Sequence, residues 1–209
     1  MYTDTNWPIA PKEDPENLYD FMQRAVEAGY KKVIGIDEAG RGPLAGPVVV
    51  AAAHMPPGIE LAGLNDSKQL TEKKRQELFD EIIANKQIDY SIIIIEEDII
   101  DEINILQATY KGMRESANGI KDADFIFVDG KPVPQLPLIS QNLIKGDSKC
   151  AAIAAASILA KVTRDQLMMD YHEQYPKYHF DKHKGYGTKA HVDALEEHGP
   201  CPIHRKSFA

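Results

Sequence analysis

The stretch Lys32-Val-Ile-Gly-Ile-Asp37-Glu38-Ala-Gly40-Arg41-Gly42-Pro-Leu-Ala-Gly46-Pro47-Val-Val-Val-Ala-Ala-Ala-His54 decides the fold. Lys32 to Asp37 reads as a strand, and Pro47 to His54 as a second, largely buried one. The Gly- and Pro-rich segment between them predicts a hairpin with an irregular loop. Downstream, Thr71 is a natural N-cap for a helix to about Ala84, and residues 88–95 are a β-branched third strand. Asp98 is expected to cap the next helix, with Ile99, Ile103, Leu106, Tyr110 and Met113 as its apolar stripe. Phe125 to Asp129 reads as a fourth strand, Leu138 to Ile144 as a fifth, and Lys189 to His198 as a short helix. Residues 148–169 form the clearest helix; their alanine-rich first half is apolar all round, which places it in the interior. Hairpins mixed with helical crossovers predict an α/β domain with a mixed sheet.

Working outward, 209 residues suggest one domain with a modest appendage, and 43% hydrophobic with 27% charged residues is ordinary for a globular chain. Residues 1–30 read as a lead-in, carrying Pro8, Pro11, Pro15 and a short helix through Leu18, Phe21, Met22 and Ala25; residues 31–209 are the main unit. The net charge of −8 excludes a bulk cationic binder of nucleic acid but leaves room for a local basic groove. Two cysteines exclude a disulfide framework. No apolar run reaches the ~18 residues of a membrane span, and no secretory pattern opens the chain, so a reduced, cytoplasmic setting is expected.

Three positions share one grammar: a carboxylate at the end of an element. Asp37 and Glu38 close the first strand, Asp129 the fourth, and Asp147 precedes the alanine-rich helix. Alone, each has an ordinary reading as strand end, Asp-Gly turn or N-cap. Together they match the oxygen donors that hard cations such as Mg²⁺ or Mn²⁺ take, and two such ions form the usual clamp for phosphodiester displacement. In a regular strand Asp37 and Glu38 point to opposite faces, so a shared site requires the glycines to bend the chain there. Asp165 lies 18 residues beyond Asp147, roughly 27 Å along a helix axis, and is assigned to structure. Residues 145–164 (Lys145, Lys149, Lys161, Arg164) and 177–191 (Lys177, Lys182, Lys184, Lys189) oppose the overall charge and suit phosphates, with Tyr186 between two glycines as a stacking ring. His198, Cys201 and His204 have zinc-like gaps, but a structural zinc usually takes four ligands.

The segments Asp37-Glu38-Ala-Gly40-Arg41-Gly42-Pro-Leu-Ala-Gly46-Pro47, Asn65-Asp66-Ser67-Lys68-Gln-Leu, Val-Asp129-Gly, Lys-Gly-Asp147, Ala-Ala-Ala-Ser157-Ile-Leu-Ala-Lys161-Val-Thr-Arg164-Asp165 and Gly185-Tyr186-Gly187-Thr188 together resemble bacterial ribonuclease HII. The resemblance runs from about residue 31 to the C-terminus. It implies an RNase H-like mixed β-sheet flanked by helices, with a C-terminal helical extension from about residue 170. It implies an endonuclease that cuts the RNA strand of RNA–DNA hybrids, and 5′ to single ribonucleotides embedded in duplex DNA, as in ribonucleotide excision repair; a monomer is expected. The ends left are a 3′-hydroxyl and a 5′-phosphate. Its metal ligands correspond to Asp37, Glu38, Asp129 and Asp147, with Mn²⁺ or Mg²⁺ as cofactor. Gly40, Arg41, Gly42 and Tyr186 correspond to the elements that read the 2′-hydroxyl and the adjoining sugar, while Ser67, Lys68 and Lys145 fall among the substrate contacts. The alternative is a non-catalytic module binding hybrid nucleic acid.

Overall fold

The computed structural model describes Ile9 and residues 15–208. Five strands form one sheet: β1 (Val33–Ala39), β2 (Val48–His54), β3 (Asp89–Ile95), β4 (Phe125–Asp129) and β5 (Ser140–Leu143), in the spatial order β3-β2-β1-β4-β5. The predicted hairpin is β1–β2, antiparallel from Ile34 opposite His54 to Ala39 opposite Val49. β4 lies parallel to β1 and β5 parallel to β4, so the sheet is mixed as expected.

Alternation along the strands sorts the core into two layers. Val33, Val49, Ala51, Phe125 and Phe127 face one helical layer: α1 (Asp20–Glu27), α2 (Glu72–Ala84) and α4 (Ala151–Gln174). Ile34, Ile36, Val50, Ala52, Ile126 and Val128 face α3 (Glu97–Asn118) through Met113 and Ala117. The lead-in helix α1 joins the first layer, with Phe21 edge-on to Phe127 at 5.7 Å between ring centroids. Residues Ala151 to Ala160 are all buried, because this end of α4 is held between the sheet and α2. The approach is close enough that a Cβ on Gly35 would lie 2.2 Å from the Ala152 carbonyl carbon and the Ile153 nitrogen.

Thr71 caps α2, its side chain accepting from the Lys74 amide. Two helix starts differ from expectation. Asp98 is not a cap: α3 begins at Glu97 after Glu96, and Asp98 sits in its first turn. That helix also breaks at Asn104 (φ 66°), whose side-chain oxygen accepts from the Leu106 and Gln107 amides and restarts it. The break resets the periodicity, so Leu106 is exposed where an unbroken stripe would bury it. Nor is Asp147 the cap of α4. It lies in a separate 3-10 turn, Gly146–Ser148, and Cys150 takes the cap position.

Beyond α4 the chain continues in two short 3-10 turns, the four-residue α5 (Phe180–His183) and α6 (Lys189–His198). This C-terminal part packs Tyr178, Phe180, Ala194 and Ile203 against Met168 of α4 and Ala45 of the β1–β2 loop. Among the described residues, no helix is long and apolar enough to cross a membrane.

Candidate active site

β1 outruns its parallel neighbour. Its pairing with β4 stops at Ile36 opposite Val128, while its pairing with β2 continues to Ala39. Asp37 and Glu38 therefore sit where the sheet has lost one neighbour, and both faces of β1 open into one cleft of about 380 Å³. This differs from the expected bend: the strand stays regular through Ala39 and turns only at Gly40 (φ 100°). Both carboxylates line the cleft because the sheet ends, not because the strand bends. Asp129, at the end of β4, lines it too, with Gly40, Arg41, Gly42, Ser67, Lys68, Ser157, Lys161, Arg164 and Tyr186.

Asp147 joins through its contacts. After β5, Lys145 adopts a left-handed conformation (φ 57°), and the Gly146 amide donates to Asp129 Oδ1 at 2.7 Å. Asp147 follows, buried, with Lys68 Nζ 3.2 Å from its Oδ2. Burial pushes the Asp147 carboxyl up, and the charge of Asp129 adds to it against Lys68. Asp37 is pushed well up by burial first and then by Glu38 and Asp129. Glu38 is also raised by burial, although Arg41 lies 3.2 Å away. Burial works against the Lys68 charge, but Asp147, Asp37 and Asp66 outweigh it and raise its pKa. Of the four basic side chains that line the cleft, Arg41 and Lys68 pair with its carboxylates, while Lys161 pairs with Asp165 and Arg164 donates to backbone carbonyls.

The remaining sequence candidates separate. The Ser67 hydroxyl is buried and shares a 2.9 Å hydrogen bond with Ser157, which in turn bonds Asp37. Ser157 is the one polar side chain between Ala151 and Ala160, a site residue that the sequence reading misses. Asp165 pairs with Lys161 at 2.6 Å, the structural role assigned to it. Arg164 departs from the phosphate-facing reading: it is buried and donates to the carbonyls of Pro47, Lys184 and Ala45. Tyr186 keeps 46% of its surface exposed, and a Cβ on Gly42 would lie 3.5 Å from its ring.

A model of the family described as Ribonuclease HII matches residues 34–209. The chain belongs to the ribonuclease HII family. The ribonuclease HII of Endomicrobium trichonymphae is 51% identical over 195 residues, covering 92% of each chain. Among solved structures, ribonuclease H2 of Pyrococcus horikoshii OT3 superposes with a TM-score of 0.70 at 29% identity, over 85% of this chain and 93% of that one. RNase HII of Archaeoglobus fulgidus, solved in complex with PCNA, gives 0.73 at 25% identity, over 86% and 96%. The mixed five-stranded sheet flanked by helices is thus the ribonuclease HII fold that the sequence motifs implied.

The acidic site suits a hard divalent cation by donor chemistry: of its four carboxylates, Asp37, Glu38 and Asp147 are desolvated by burial and pushed up by neighbouring carboxylate charge. Among the described residues, no three His, Cys, Asp or Glu side chains already converge on a common metal position, here or around Cys201. In this structure Lys68 and Arg41 supply the countercharge.

The zinc-like run resolves differently. His198 lies edge-on to Tyr178, 6.3 Å between centroids. His204 and His191 form a hydrogen-bonded relay. His191 Nδ1 donates to the Tyr186 carbonyl (3.0 Å), so its Nε2 accepts from His204 Nε2 (2.9 Å), whose Nδ1 accepts from the Cys201 amide (2.9 Å). The relay ends on the backbone of the tyrosine that lines the cleft. Burial pushes both imidazoles below the ordinary range. Unfolding frees them to bind protons near pH 6.5, so their contribution to stability is whole above about that pH and is lost as pH falls. The melting temperature is expected to drop on acidification from pH 7.5 to 5.5, and less so in His204→Gln. Equal slopes in the two proteins refute the relay's neutral state.

Proposed function

We propose that this chain hydrolyses the RNA strand of RNA–DNA hybrids and cuts duplex DNA 5′ to a single embedded ribonucleotide, leaving a 3′-hydroxyl and a 5′-phosphate. The observation that carries the reading is three carboxylates from β1 and β4 in one cleft, with Asp147 of the 146–148 turn held 3.2 Å from the Lys68 ammonium that lines it, and Arg41 and Tyr186 around them. Asp37, Glu38, Asp129 and Asp147 would hold two Mg²⁺ or Mn²⁺ ions. Such ions supply activation of the attacking water and stabilisation of the leaving oxygen. Lys68, with 75% of its side chain exposed, and Lys145 reach toward backbone phosphates. Ser67 serves through Ser157, which steadies Asp37. The Gly40-Arg41-Gly42 segment and the Tyr186 ring read the ribonucleotide: the 2′-hydroxyl is what separates RNA from DNA at one position.

Residues 31–209 are the catalytic unit in this reading. The setting is a cytoplasmic monomer in ribonucleotide excision repair, in keeping with two cysteines that are both free thiols.

The direct test is an end-labelled hybrid incubated with Mg²⁺ or Mn²⁺, with and without EDTA. Nicks confined to the RNA strand and abolished by EDTA are expected. Intact RNA at every metal concentration contradicts the proposal and returns the chain to a binding role. Tyr186→Ala is expected to slow cleavage at a single embedded ribonucleotide about tenfold to a hundredfold, the value of one lost stacking contact. Unchanged single-turnover rates would remove Tyr186 from the recognition set.

A further inference from the structure

Arg164 and Arg205 are 1% and 2% exposed, and their donors go to backbone carbonyls. Arg205 donates to Gly46 (2.8 Å), Arg41 (3.1 Å), Gly40 (2.6 Å) and Pro47 (3.1 Å). Arg164 donates to Pro47 (2.9 Å), Ala45 (3.1 Å) and Lys184 (3.0 Å). Two buried guanidiniums thus hold five carbonyls of the loop between β1 and β2, and one beside Tyr186. Burial alone pushes Arg164 down to about 10, and burial with the Arg164 charge pushes Arg205 down to about 9. Both remain charged at neutral pH, and keeping two like charges together in the interior is costly unless their donors are fully used.

The loop is shaped around them. Gly40 has φ 100°, and a Cβ there would lie 2.1 Å from Arg164 Nε. In a trans peptide the C=O of one residue and the N–H of the next point in opposite directions. Turning the Gly40 and Arg41 carbonyls onto Arg205 therefore turns the Arg41 and Gly42 amides away from it. Among the described residues neither amide has a partner within the chain, whereas the Leu44 and Gly46 amides bond Gly185 and Ile203. Arg41 and Gly42 line the cleft.

We propose that Arg164 and Arg205 are positioning residues for sugar recognition: by gripping the carbonyls of residues 40–47 they aim the free Arg41 and Gly42 amides at the 2′-oxygen of a bound ribonucleotide. The inference rests on the ribonuclease reading above and adds what sets its discrimination. Arg164 and Arg205 touch no substrate in this scheme; they act through the loop.

The test compares affinities for two duplexes that differ only in one ribonucleotide, with every protein in the Asp129→Asn background so that the substrate stays intact. Arg205→Met is expected to lower the ribo-to-deoxy affinity ratio about tenfold, the worth of one hydrogen bond, while the all-DNA affinity holds. Arg205→Lys keeps the charge without the fork and is expected to lower the ratio about threefold; it carries the test if the methionine variant does not fold. General loosening weakens both duplexes alike and leaves the ratio in place, so an unchanged ratio in a folded variant overturns the inference. A parent protein with no ribonucleotide preference overturns the ribonuclease reading itself.

Discussion

Asp129→Asn is expected to reduce cleavage at least about a thousandfold while leaving the protein folded. The loss follows from charge: a neutral amide is a poor ligand for a hard cation, and electrostatic stabilisation of a phosphoryl transition state is among the largest contributions to catalysis. The intact fold follows from shape and repulsion. An asparagine keeps the side-chain oxygen that accepts from the Gly146 amide at 2.7 Å. It also removes the charge that pushes the Asp37, Glu38 and Asp147 carboxyls up. The melting temperature is therefore expected to stay level or rise, and affinity for duplex to hold, since one anion facing the phosphates is gone. Single-turnover kinetics beside a thermal melt check both halves. Wild-type cleavage by the folded variant would remove Asp129 from the metal set.

Gly35→Ala is expected to have the largest effect on stability. Its Cβ would meet backbone, at 2.2 Å from Ala152 and Ile153, and backbone does not step aside as a side-chain tip does. α4 must move off β1, and overpacking of this kind costs about 3 kcal/mol. For a chain of this size that is a drop of about 6–12 °C in melting temperature. Cleavage should fall as well. Gly35 is two residues before Asp37, and Ser157, which bonds Asp37, lies on the displaced helix. A melting temperature within 1–2 °C of wild type (estimated by the same scaling) would show that the helix relaxes freely at this crossing.

The parts of the fold legible in the sequence were those with a local signal. Strand β4 and helix α6 lie where the sequence pattern placed them, and the structure adds the Thr188 side chain as the cap of α6. The break at Asn104 was hidden, since an asparagine inside a helical stripe carries no mark that its side chain will restart the helix. The acidic residues of the cleft were legible as strand-end carboxylates. Their convergence depended on where β4 stops pairing with β1, a property of the register between strands. Arg205 carried no signal at all. Its carbonyl partners lie 158 to 165 residues away, and an arginine near the end of a chain ordinarily reads as solvated surface. Ser157 left a faint one, a lone hydroxyl in an apolar run.

In the proposed reaction the acidic cleft cuts next to a 2′-hydroxyl with the help of divalent ions. A duplex DNA carrying one ribonucleotide, labelled at its 5′ end and incubated with Mg²⁺ or Mn²⁺, puts that reaction to the test in a single gel. The account predicts one nick immediately 5′ to the ribonucleotide, with a 3′-hydroxyl that a polymerase extends directly. A nick on the 3′ side ending in a cyclic phosphate, or cutting that ignores the ribonucleotide's position, would contradict it.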